Sequence, residues 1–268
     1  MGSPNRVIET VEVLYRRVGV LTCLLEEPRD KRTLVEELDI PRSTLDRAIR
    51  ELESINVVTY DKGKYTATPV GERLGRNFIA FLDRIEVAIE LEPFLQLVSV
   101  DEFNLDLQLL ADAELVVPAD KNPYAMINRH VQLLGEADQV RGMLPLVGLH
   151  GHQTAHERIV ENGAEDELIV EPGVAEVLIS DPQFAELTEE MLATGRFDLF
   201  IYEGTIPYFV GIFDDETVQI GVDENGEPRA ILETDRQEVQ DWAHHMITGY
   251  KQQATSLTQT ALHDQLKA

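Results

Sequence analysis

Cysteine is almost absent from this sequence of 268 residues, since Cys23 is the only one. An intramolecular disulfide is therefore excluded, which is typical of proteins that fold in a reducing cytoplasm. The chain has no apolar run that approaches the roughly 18–20 residues a membrane-spanning helix needs. Its first residues, MGSPNRVIET, lack the basic-then-apolar pattern of a signal peptide. The composition predicts a soluble, cytoplasmic protein without membrane association.

Basic residues are also scarce: 23 Lys and Arg stand against 49 Asp and Glu, a net charge of −26. The excess of acidic over basic residues is confined to one part of the chain. Residues 1–84 hold 14 basic and 14 acidic residues, and the remainder holds 9 basic and 35 acidic ones. A neutral N-terminal region is still able to present local positive charge to phosphates. Acidic surfaces with few lysines suit a high-salt cytoplasm, because the Debye length falls to about 3 Å at molar salt. We therefore expect a halophilic protein.

Residues 39–53, DIPRSTLDRAIRELE, predict a helix that starts at Asp39 or Pro41, since proline is pre-shaped for a first helical position. Three residues at helical spacing make one apolar face: Leu45, Ile49 and Leu52. The preceding stretch Lys31–Leu38 predicts a shorter helix. Two short helices with a tight joint are typical of a helix-turn-helix, whose second helix usually enters the major groove.

Five polar residues fall largely off that apolar face and are the predicted DNA-binding residues of the second helix: Arg42, Ser43, Thr44, Arg47 and Arg50. The alternative is a small helical domain whose arginines only face solvent. The segment that follows favours DNA binding. VVTY and YTAT alternate like strands around the turn DKGK, which predicts a hairpin, or wing. Lys62 and Lys64 flank Gly63 at its tip and are expected to contact phosphate or the minor groove.

Residues 7–75 resemble an archaeal winged helix-turn-helix regulator. The resemblance is carried, in order, by LVEEL, IPRSTLDRAIRELE and VVTYDKGKYTATPVGE, which closes with Thr-Pro-x-Gly. It implies a transcriptional regulator with double-stranded DNA as its partner.

The rest of the chain predicts a helix over residues 7–25, and one or two helices over residues 69–98, interrupted by Pro93. From residue 113 onward, strands and helices alternate before a run of antiparallel strands. One helix is predicted over residues 152–162, and a last helix over residues 236–257. The predicted fold is an α+β winged helix-turn-helix domain, residues 1–84, and an α/β mixed-sheet domain, residues 113–268. Residues 85–112 are predicted to form a helical connector that is either a dimer seam or a packing helix.

The second domain also resembles a known one. The segments GMLPLVGLHGHQTAHERIVENGAEDELIVEP and GRFDLFIYEGTIPYFVGIFDDETVQIGVDENGEPRAIL are similar to the effector-type domain of archaeal methanogenesis regulatory proteins and their haloarchaeal relatives. The likeness covers roughly residues 110–250. Sugar-responsive archaeal regulators have a similar two-part layout, with a core similar to the phospholipase D superfamily. The resemblance implies transcription regulation and no particular ligand.

An enzyme with a phospholipase D-like core would carry His-x-Lys followed by an Asp. This chain has His150-Gly151-His152 instead, and no lysine stands two positions after any histidine. The nucleophile and cation for phosphodiester chemistry are therefore missing. We expect no enzymatic activity, no catalytic residue and no cofactor.

The turn at residues 147–152 is the predicted effector site, because it follows the apolar strand predicted over residues 139–147 and ligands of α/β sheets collect beyond strand carboxyl ends. The predicted binding residues are Gly148, His150, Gly151 and His152: the glycines let backbone amides approach an anionic metabolite, and the histidines donate hydrogen bonds. A polar surface turn is one alternative. Another is a metal-responsive regulator, because His152 and His156 stand at i, i+4, a spacing that suits Zn²⁺ or Ni²⁺.

Taken together, these patterns predict a homodimeric DNA-binding transcriptional regulator whose C-terminal domain senses a small effector, with no metal in the effector site. A protein-interaction factor that uses its winged domain for docking is the remaining alternative.

Overall fold

The first of two compact units is helical with one small hairpin. The computed structural model describes residues 4–257, and the chain divides between Glu86 and Val87. The elements of the first unit are α1 Pro4–Arg16, α2 Val18–Glu26, α3 Lys31–Leu38, α4 Arg42–Ser54, β1 Val58–Asp61, β2 Lys64–Ala67 and α5 Pro69–Glu90, whose last turn enters the second unit. Buried side chains from both helices and hairpin form its core, among them Leu21, Leu34, Leu45, Ile49, Leu52, Val57 and Phe78.

The predicted single helix over residues 7–25 is wrong, because the structure has two helices there. Arg17, with φ −119° and ψ 17°, leaves the helical region and separates α1 from α2. Leu14 before the break and Leu21 after it are both buried, so the apolar periodicity continues across it. Arg17 Nε donates to Glu51 Oε2 of α4 at 2.9 Å, which ties the break to the helix-turn-helix.

Local chemistry sets the ends of α3 and α4. Asp30 Oδ1 accepts hydrogen bonds from the amides two and three residues further on, at 2.8 and 3.0 Å, and so caps α3. Asp39 ends α3 in the left-handed conformation, with φ 48° and ψ 44°. Pro41 precedes α4 in an extended conformation. The predicted helix Lys31–Leu38 is confirmed, whereas α4 starts at Arg42 and not at either of the earlier positions predicted.

The two strands β1 and β2 pair antiparallel in the predicted hairpin. Lys62 and Gly63 form its two-residue loop with φ of 48° and 90°, as a type I′ turn requires. Tyr65 of β2 also exchanges two backbone hydrogen bonds with Arg29, at 2.7 and 3.0 Å. The hairpin is therefore fastened on its other side to the segment before α3.

Gly71 explains the Thr-Pro-x-Gly sequence that follows the hairpin. A Cβ at this position would lie 1.8 Å from the carbonyl oxygen of Val57, so α5 passes directly over the backbone before β1. Thr68 Oγ1 accepts from the Gly71 amide at 2.9 Å and donates to the Asn56 carbonyl at 2.7 Å. The Thr-Pro-x-Gly sequence therefore both ends the hairpin and begins α5.

The second unit is an eight-stranded mixed sheet with helices on both faces. Its elements are α6 Glu92–Leu95, β3 Glu114–Val116, α7 Ala125–Glu136, β4 Gln139–Leu144, α8 Leu149–His156, β5 Glu165–Val170, α9 Pro172–Ser180, α10 Pro182–Ala193, β6 Phe197–Ile201, β7 Phe209–Phe213, β8 Thr217–Glu224, β9 Glu227–Thr234, α11 Gln237–Lys251 and β10 Thr255–Leu257. The strand order is β10-β6-β5-β4-β7-β8-β9-β3. Neighbours among β4, β5 and β6 are parallel, and all other pairs are antiparallel. The predicted fold class is confirmed.

Each face of this sheet has its own core, because successive strand residues point to opposite sides. On β5, Ile169 packs with the core beneath α11, and Val170 packs with the core beneath α8, α9 and α10. The first core also takes side chains from residues 87–110: Val87, Leu91, Phe94, Phe103, Leu105 and Leu110. Much of the stretch predicted as a connector is thus built into the second unit. Its use as a dimer seam stays a prediction.

Two predicted helices of this unit need correction. The last helix ends at Lys251, and residues Thr255–Leu257 form β10, which pairs with β6 at the edge of the sheet. The helix predicted to start at His152 starts at Leu149 as α8, and its end is a π-helical turn over Glu157–Glu161. Four of the six residues in the predicted turn 147–152 therefore form the first turn of α8. No helix among residues 4–257 is long and apolar enough to cross a membrane.

Candidate functional site

The outward side of α4 carries the residues predicted to contact DNA. All five are exposed: Arg42, Ser43, Thr44, Arg47 and Arg50. The opposite side of the helix is buried in the core of the first unit through Leu45, Ile49 and Leu52. α4 begins without a side-chain cap, and the amides of Thr44 and Leu45 donate to the Pro41 carbonyl at 2.9 and 3.1 Å. The helix combines hydrogen-bond donors and positive charge on one accessible surface.

Glu51 is a member of this surface that the sequence did not single out. Its carboxylate accepts hydrogen bonds from Arg17 Nε at 2.9 Å and from Arg47 Nε at 3.0 Å. The hydrogen bonds from Arg17 and Arg47, in that order, lower the pKa of Glu51 to about 2. Glu51 is therefore ionised at neutral pH and holds the Arg47 side chain along the helix. The spacing of Arg47 and Glu51 was visible in sequence, but the contribution of Arg17 was not.

A second ion pair braces the start of the motif. Lys31 Nζ of α3 lies 2.5 Å from Asp46 Oδ1 of α4, and its hydrogen bond lowers the pKa of the Asp46 carboxyl. The same ammonium lies 5.5 Å from the centre of the Tyr65 ring on β2. Arg50 Nε donates to the backbone carbonyl of Asp46 at 3.1 Å. One lysine thus joins both helices and the hairpin.

The hairpin presents the two predicted lysines at its tip. Lys62 and Lys64 are exposed on either side of Gly63, whose positive φ leaves open space around it. Tyr60 is 58% exposed and packs against Tyr65 with ring centres 4.8 Å apart. The wing therefore presents two exposed ammonium groups at its tip.

The second unit contains a cavity of about 410 Å³ between one face of the sheet and helices α7, α8 and α9. This volume lies within the range of roughly 300–1,000 Å³ of small-molecule sites. Most of its wall is aliphatic, with Phe209 as the aromatic residue. The titratable side chains in the wall are His130, His152, Asp166 and Asp223, so no lysine or arginine of the described chain lines it.

The predicted effector residues fall partly on this cavity. Gly148, Gly151 and His152 belong to its wall, and the exposed His150 does not. Gly148 is the residue before the first turn of α8, and the position of a Cβ at Gly151 meets no atom within 4 Å. These glycines leave room for a ligand at the end of the helix.

His152 has a structural role that the sequence pattern concealed. Its Nε2 lies 2.9 Å from Thr188 Oγ1, and the Thr188 hydroxyl donates to the Phe184 carbonyl at 3.0 Å. Burial lowers the pKa of His152 to about 4, so the imidazole is neutral. Since the hydroxyl proton is already used, the imidazole donates to Thr188. His152 therefore anchors α8 to α10.

The two histidines at helical spacing have different partners. His152 is bound to Thr188, and His156 Nε2 lies 2.6 Å from Glu190 Oε2. Within the ranges that the structure describes, no three histidine, cysteine or acidic side chains come together as metal ligands would. The geometry lends no support to a metal centre at this pair.

His130 is the polar group of the cavity that the sequence analysis missed. His130 Nδ1 lies 2.9 Å from Gln219 Oε1 of β8, and Gln219 Nε2 donates to Glu233 Oε2 of β9 at 2.8 Å. Arg129 Nε donates to the same carboxylate at 2.9 Å. No local pattern signals this chain, because its partners are 89 and 104 residues apart in sequence.

Asp166 lies on the floor of the cavity in an ion pair with Arg158. The Arg158 Nη1 atom is 3.2 Å from both carboxylate oxygens, and its Nε donates to the Ala137 carbonyl at 2.7 Å. Burial raises the pKa of Asp166 to about 6, although the guanidinium favours the ionised form. The Arg158 Nη2 atom is buried without a hydrogen-bond partner among the residues described. The π-helical turn places Arg158 in this position.

The fold and the first surface define a two-unit protein with a winged helix-turn-helix and a mixed-sheet domain. Two family models match it. Residues 123–253 match the middle domain of the methanogenesis regulatory protein FilR1, and residues 7–90 match the HVO_A0261 N-terminal domain. Each match covers less than half of the chain, and together they support a regulatory protein. No curated protein matches the chain.

Three solved structures are distantly similar to the chain. TrmBL2, described as an archaeal chromatin protein, is 14% identical over 91% of this chain and 98% of its own, with a TM-score of 0.40. Nuc from Salmonella typhimurium, a phospholipase D family member, is 11% identical over 55% of this chain and 99% of its own, with a TM-score of 0.43. NucT from Helicobacter pylori is 14% identical over 54% and 98%, with a TM-score of 0.44. Likeness at this level carries no conclusion about activity.

Proposed function

We propose that this chain is an archaeal DNA-binding transcriptional regulator, homodimeric, whose second unit senses a small effector. The observation that carries the proposal is the outward side of α4, where five polar side chains stand exposed beside a lysine-tipped hairpin. The match to a regulatory protein supports the regulatory role. Such a protein acts on chromosomal DNA in the cytoplasm. The proposal includes no enzymatic activity.

The start of α4 is the part of the helix that reads bases. In a helix-turn-helix, the first residues of the second helix contact base edges in the major groove. Arg42 and Arg47 have the donors for the O6 and N7 atoms of guanine. Glu51 keeps Arg47 extended along the helix before DNA arrives, which lowers the entropy lost on binding. Lys62 and Lys64 add phosphate contacts at the wing.

Replacement of Arg47 tests this arrangement. In fluorescence anisotropy with the DNA upstream of the protein's own transcription unit, Arg47→Ala should cost about 1–3 kcal/mol if Arg47 reads a guanine. Arg73→Ala is the matched control, since Arg73 is an exposed arginine of α5 outside the helix-turn-helix. Unchanged affinity in both Arg42→Ala and Arg47→Ala would remove α4 from the interface.

A homodimer is supported by apolar side chains that stay exposed on the first unit. On α5 these are Val70, Leu74, Phe81 and Ile85, with 38–54% exposure, and on α1 they are Val7, Ile8, Val11 and Tyr15, with 45–65% exposure. Their spacing along α5 forms a stripe of the kind that two helices bury together. A helix-turn-helix dimer reads two half-sites about one helical turn of DNA apart.

The effector proposal rests on the cavity of the second unit. Small-molecule sites are concave, mostly apolar and carry a few polar groups, as this cavity does. An effector regulates DNA binding only if it binds the DNA-competent and incompetent states with different affinity.

A bulky side chain at the cavity wall tests the effector site. Gly151 lines the cavity and a Cβ added there would meet no atom within 4 Å, so Gly151→Phe adds bulk at the wall without a clash at the backbone. The variant should abolish the response of a reporter gene to the inducing condition. Gly173→Phe is the control, because Gly173 also has open space around it but does not line the cavity. A normal response in the Gly151 variant, or an equal loss in both, would rule this site out.

A further inference from the structure

The chain of hydrogen bonds behind the cavity fixes the protonation state of His130. It begins at Glu233, whose carboxylate accepts hydrogen bonds from two guanidinium nitrogens of Arg129. Burial opposes ionisation of Glu233, but the hydrogen bonds from Arg129 and Gln219 outweigh it and lower the pKa of the carboxyl. Glu233 is therefore a carboxylate, which only accepts hydrogen bonds.

The direction of every further bond follows from that carboxylate. Gln219 is fully buried, and its amide nitrogen must donate to Glu233, so its amide oxygen faces His130. An amide oxygen only accepts, so His130 Nδ1 carries the proton. Burial lowers the pKa of His130, so the ring is neutral and presents a lone pair at Nε2.

The cavity is where this lone pair is available. His130 lines the cavity, its ring packs edge-on against Phe209 with centroids 5.1 Å apart, and its Nε2 has no partner among the described residues. His130 is half-buried, and a ligand that fills the cavity displaces water from its ring. Only a ligand with a hydroxyl or N–H replaces the hydrogen bond that the displaced water could make to Nε2. The four-residue chain holds the ring in one orientation for such a ligand.

The charges of the wall disfavour an anion. No lysine or arginine of the described chain lines the cavity, and its acidic side chains are Asp166, in an ion pair with Arg158, and Asp223. A buried carboxylate or phosphate would therefore meet no cationic side chain in the wall. The aliphatic wall favours an apolar body instead. These features differ from the anionic metabolite that the glycines of residues 148–151 suggested from sequence.

We propose that the cavity binds a neutral, largely apolar molecule that donates one hydrogen bond, from a hydroxyl or N–H group, to His130 Nε2. The inference rests on the proposed effector-sensing role of the second unit and names the ligand class. Gly148, Gly151 and His152 line one wall, while His130 supplies the polar anchor.

Three fluorescent probes of one shape test the ligand class on the full-length protein. 2-Naphthol has the donor, 2-methoxynaphthalene has the same rings without it, and 2-naphthoate is an anion. We expect 2-naphthol to bind about tenfold more tightly than 2-methoxynaphthalene, the ratio that one net hydrogen bond supplies. 2-Naphthoate should bind at least as weakly as 2-methoxynaphthalene. Equal affinity for the first two, or tightest binding of 2-naphthoate, would overturn the proposal.

Variants assign the preference to His130. His130→Phe keeps an aromatic ring but removes the acceptor, so 2-naphthol should lose about tenfold in affinity while 2-methoxynaphthalene loses little. His150→Phe is the matched control, since His150 is exposed and does not line the cavity. A preference for 2-naphthol that survives in His130→Phe, or that disappears in His150→Phe, would contradict the assignment.

Nitrogen NMR on the unmodified protein keeps the test independent of variant folding. In the free protein, His130 should show a protonated Nδ1 and an unprotonated Nε2, and 2-naphthol should shift the Nε2 signal while 2-methoxynaphthalene does not. A protonated Nε2 would refute the inference. If the probes fail while DNA recognition is intact, the ligand class is refuted and the DNA-binding proposal stands. If DNA recognition is absent while the probes bind as expected, the DNA-binding proposal is refuted and the ligand class stands.

Discussion

At the scale of single residues, Glu51 connects two arginines that serve different purposes. Arg17 marks the break between α1 and α2, and Arg47 stands on the proposed reading surface, yet both donate to the same carboxylate. The sequence suggests the pair within α4 because Arg47 and Glu51 are four residues apart on a helix. It does not suggest Arg17, which reaches Glu51 from 34 residues away.

The acid stability of the first unit should depend on Glu51. Its pKa is about 2 in the folded protein against an ordinary 4.5, so its hydrogen bonds stabilise the fold fully above pH 4.5. That contribution is lost as the pH falls toward 2. In urea unfolding, the difference in free energy between the wild type and Glu51→Gln should be constant from pH 7 to about 5 and shrink below pH 4.5. A difference that stays constant down to pH 3.5 would contradict the role of Glu51.

At the scale of elements, the helix-turn-helix and hairpin were predictable because local chemistry fixes them. Asp30 caps α3, Asp39 ends it in a left-handed conformation, and Lys62 with Gly63 supplies the positive φ of the turn. The boundary between β4 and α8 was less predictable. α8 begins three residues before the expected start at His152, because the Gly148 carbonyl accepts the first helical hydrogen bond, from the His152 amide at 3.0 Å. Gly148 followed by Leu149 does not signal a helix start in the sequence, since Ser, Thr, Asp and Asn are the usual residues before a first helical turn.

Gly71 and Gly19 make a matched pair of glycine substitutions within the first unit. Gly71→Ala places a Cβ 1.8 Å from the Val57 carbonyl oxygen and should destabilise the unit by about 1–3 kcal/mol or more. Gly19→Ala, inside α2, meets only Leu38 Cδ2 at 3.7 Å and should stabilise by roughly 0.5–1 kcal/mol. Urea unfolding measures both. Equal effects of the two substitutions would show that α5 does not pass over Val57 as described.

The wing should contribute to affinity through charge. Replacement of Lys62 and Lys64 together by Gln should weaken specific and non-specific DNA binding alike, and flatten the slope of log K against log salt by about 1–2 units. Anisotropy titrations at several salt concentrations give the slope. A change in sequence preference without a change in slope would show that the wing reads bases.

Elements joined by distant residues lie beyond what sequence patterns reveal. β10 was hidden in the predicted last helix because it becomes a strand only by pairing with β6, some 55 residues earlier. His130 was passed over for the same reason, since Gln219 and Glu233 reach it only through the sheet. The effector residues were predicted from glycines and clustered histidines, which are visible locally, and their binding role stays a prediction. The burial of His152 was not visible in the sequence.

At the scale of the whole molecule, the charge is divided as the proposed role requires. The first 84 residues are balanced, while the remainder carries the entire net charge of −26. Added salt weakens phosphate contacts and screens repulsion between the acidic remainder and DNA at the same time. If α4 reads bases as proposed, its base contacts supply a larger share of the affinity as salt rises.

Self-association should depend on the apolar stripe of α5. Phe81→Glu and Ile85→Glu place charge on side chains that are 54% and 39% exposed, and should shift the protein toward monomer in sedimentation velocity. Val177→Glu is the control, an apolar residue of α9 with 38% exposure outside the stripe. A wild-type protein that sediments as a monomer at every concentration, or a dimer that both stripe variants leave intact, would contradict the seam.

The most direct test of the central claim is selection of DNA from a random pool by the full-length protein and by the double variant Arg42→Ala, Arg47→Ala at the same salt concentration. If α4 reads bases, the wild type should enrich one sequence motif, and the double variant should lose the motif while it retains salt-dependent non-specific binding. Absence of any enriched motif for the wild type, or enrichment of the same motif by the double variant, would contradict the account.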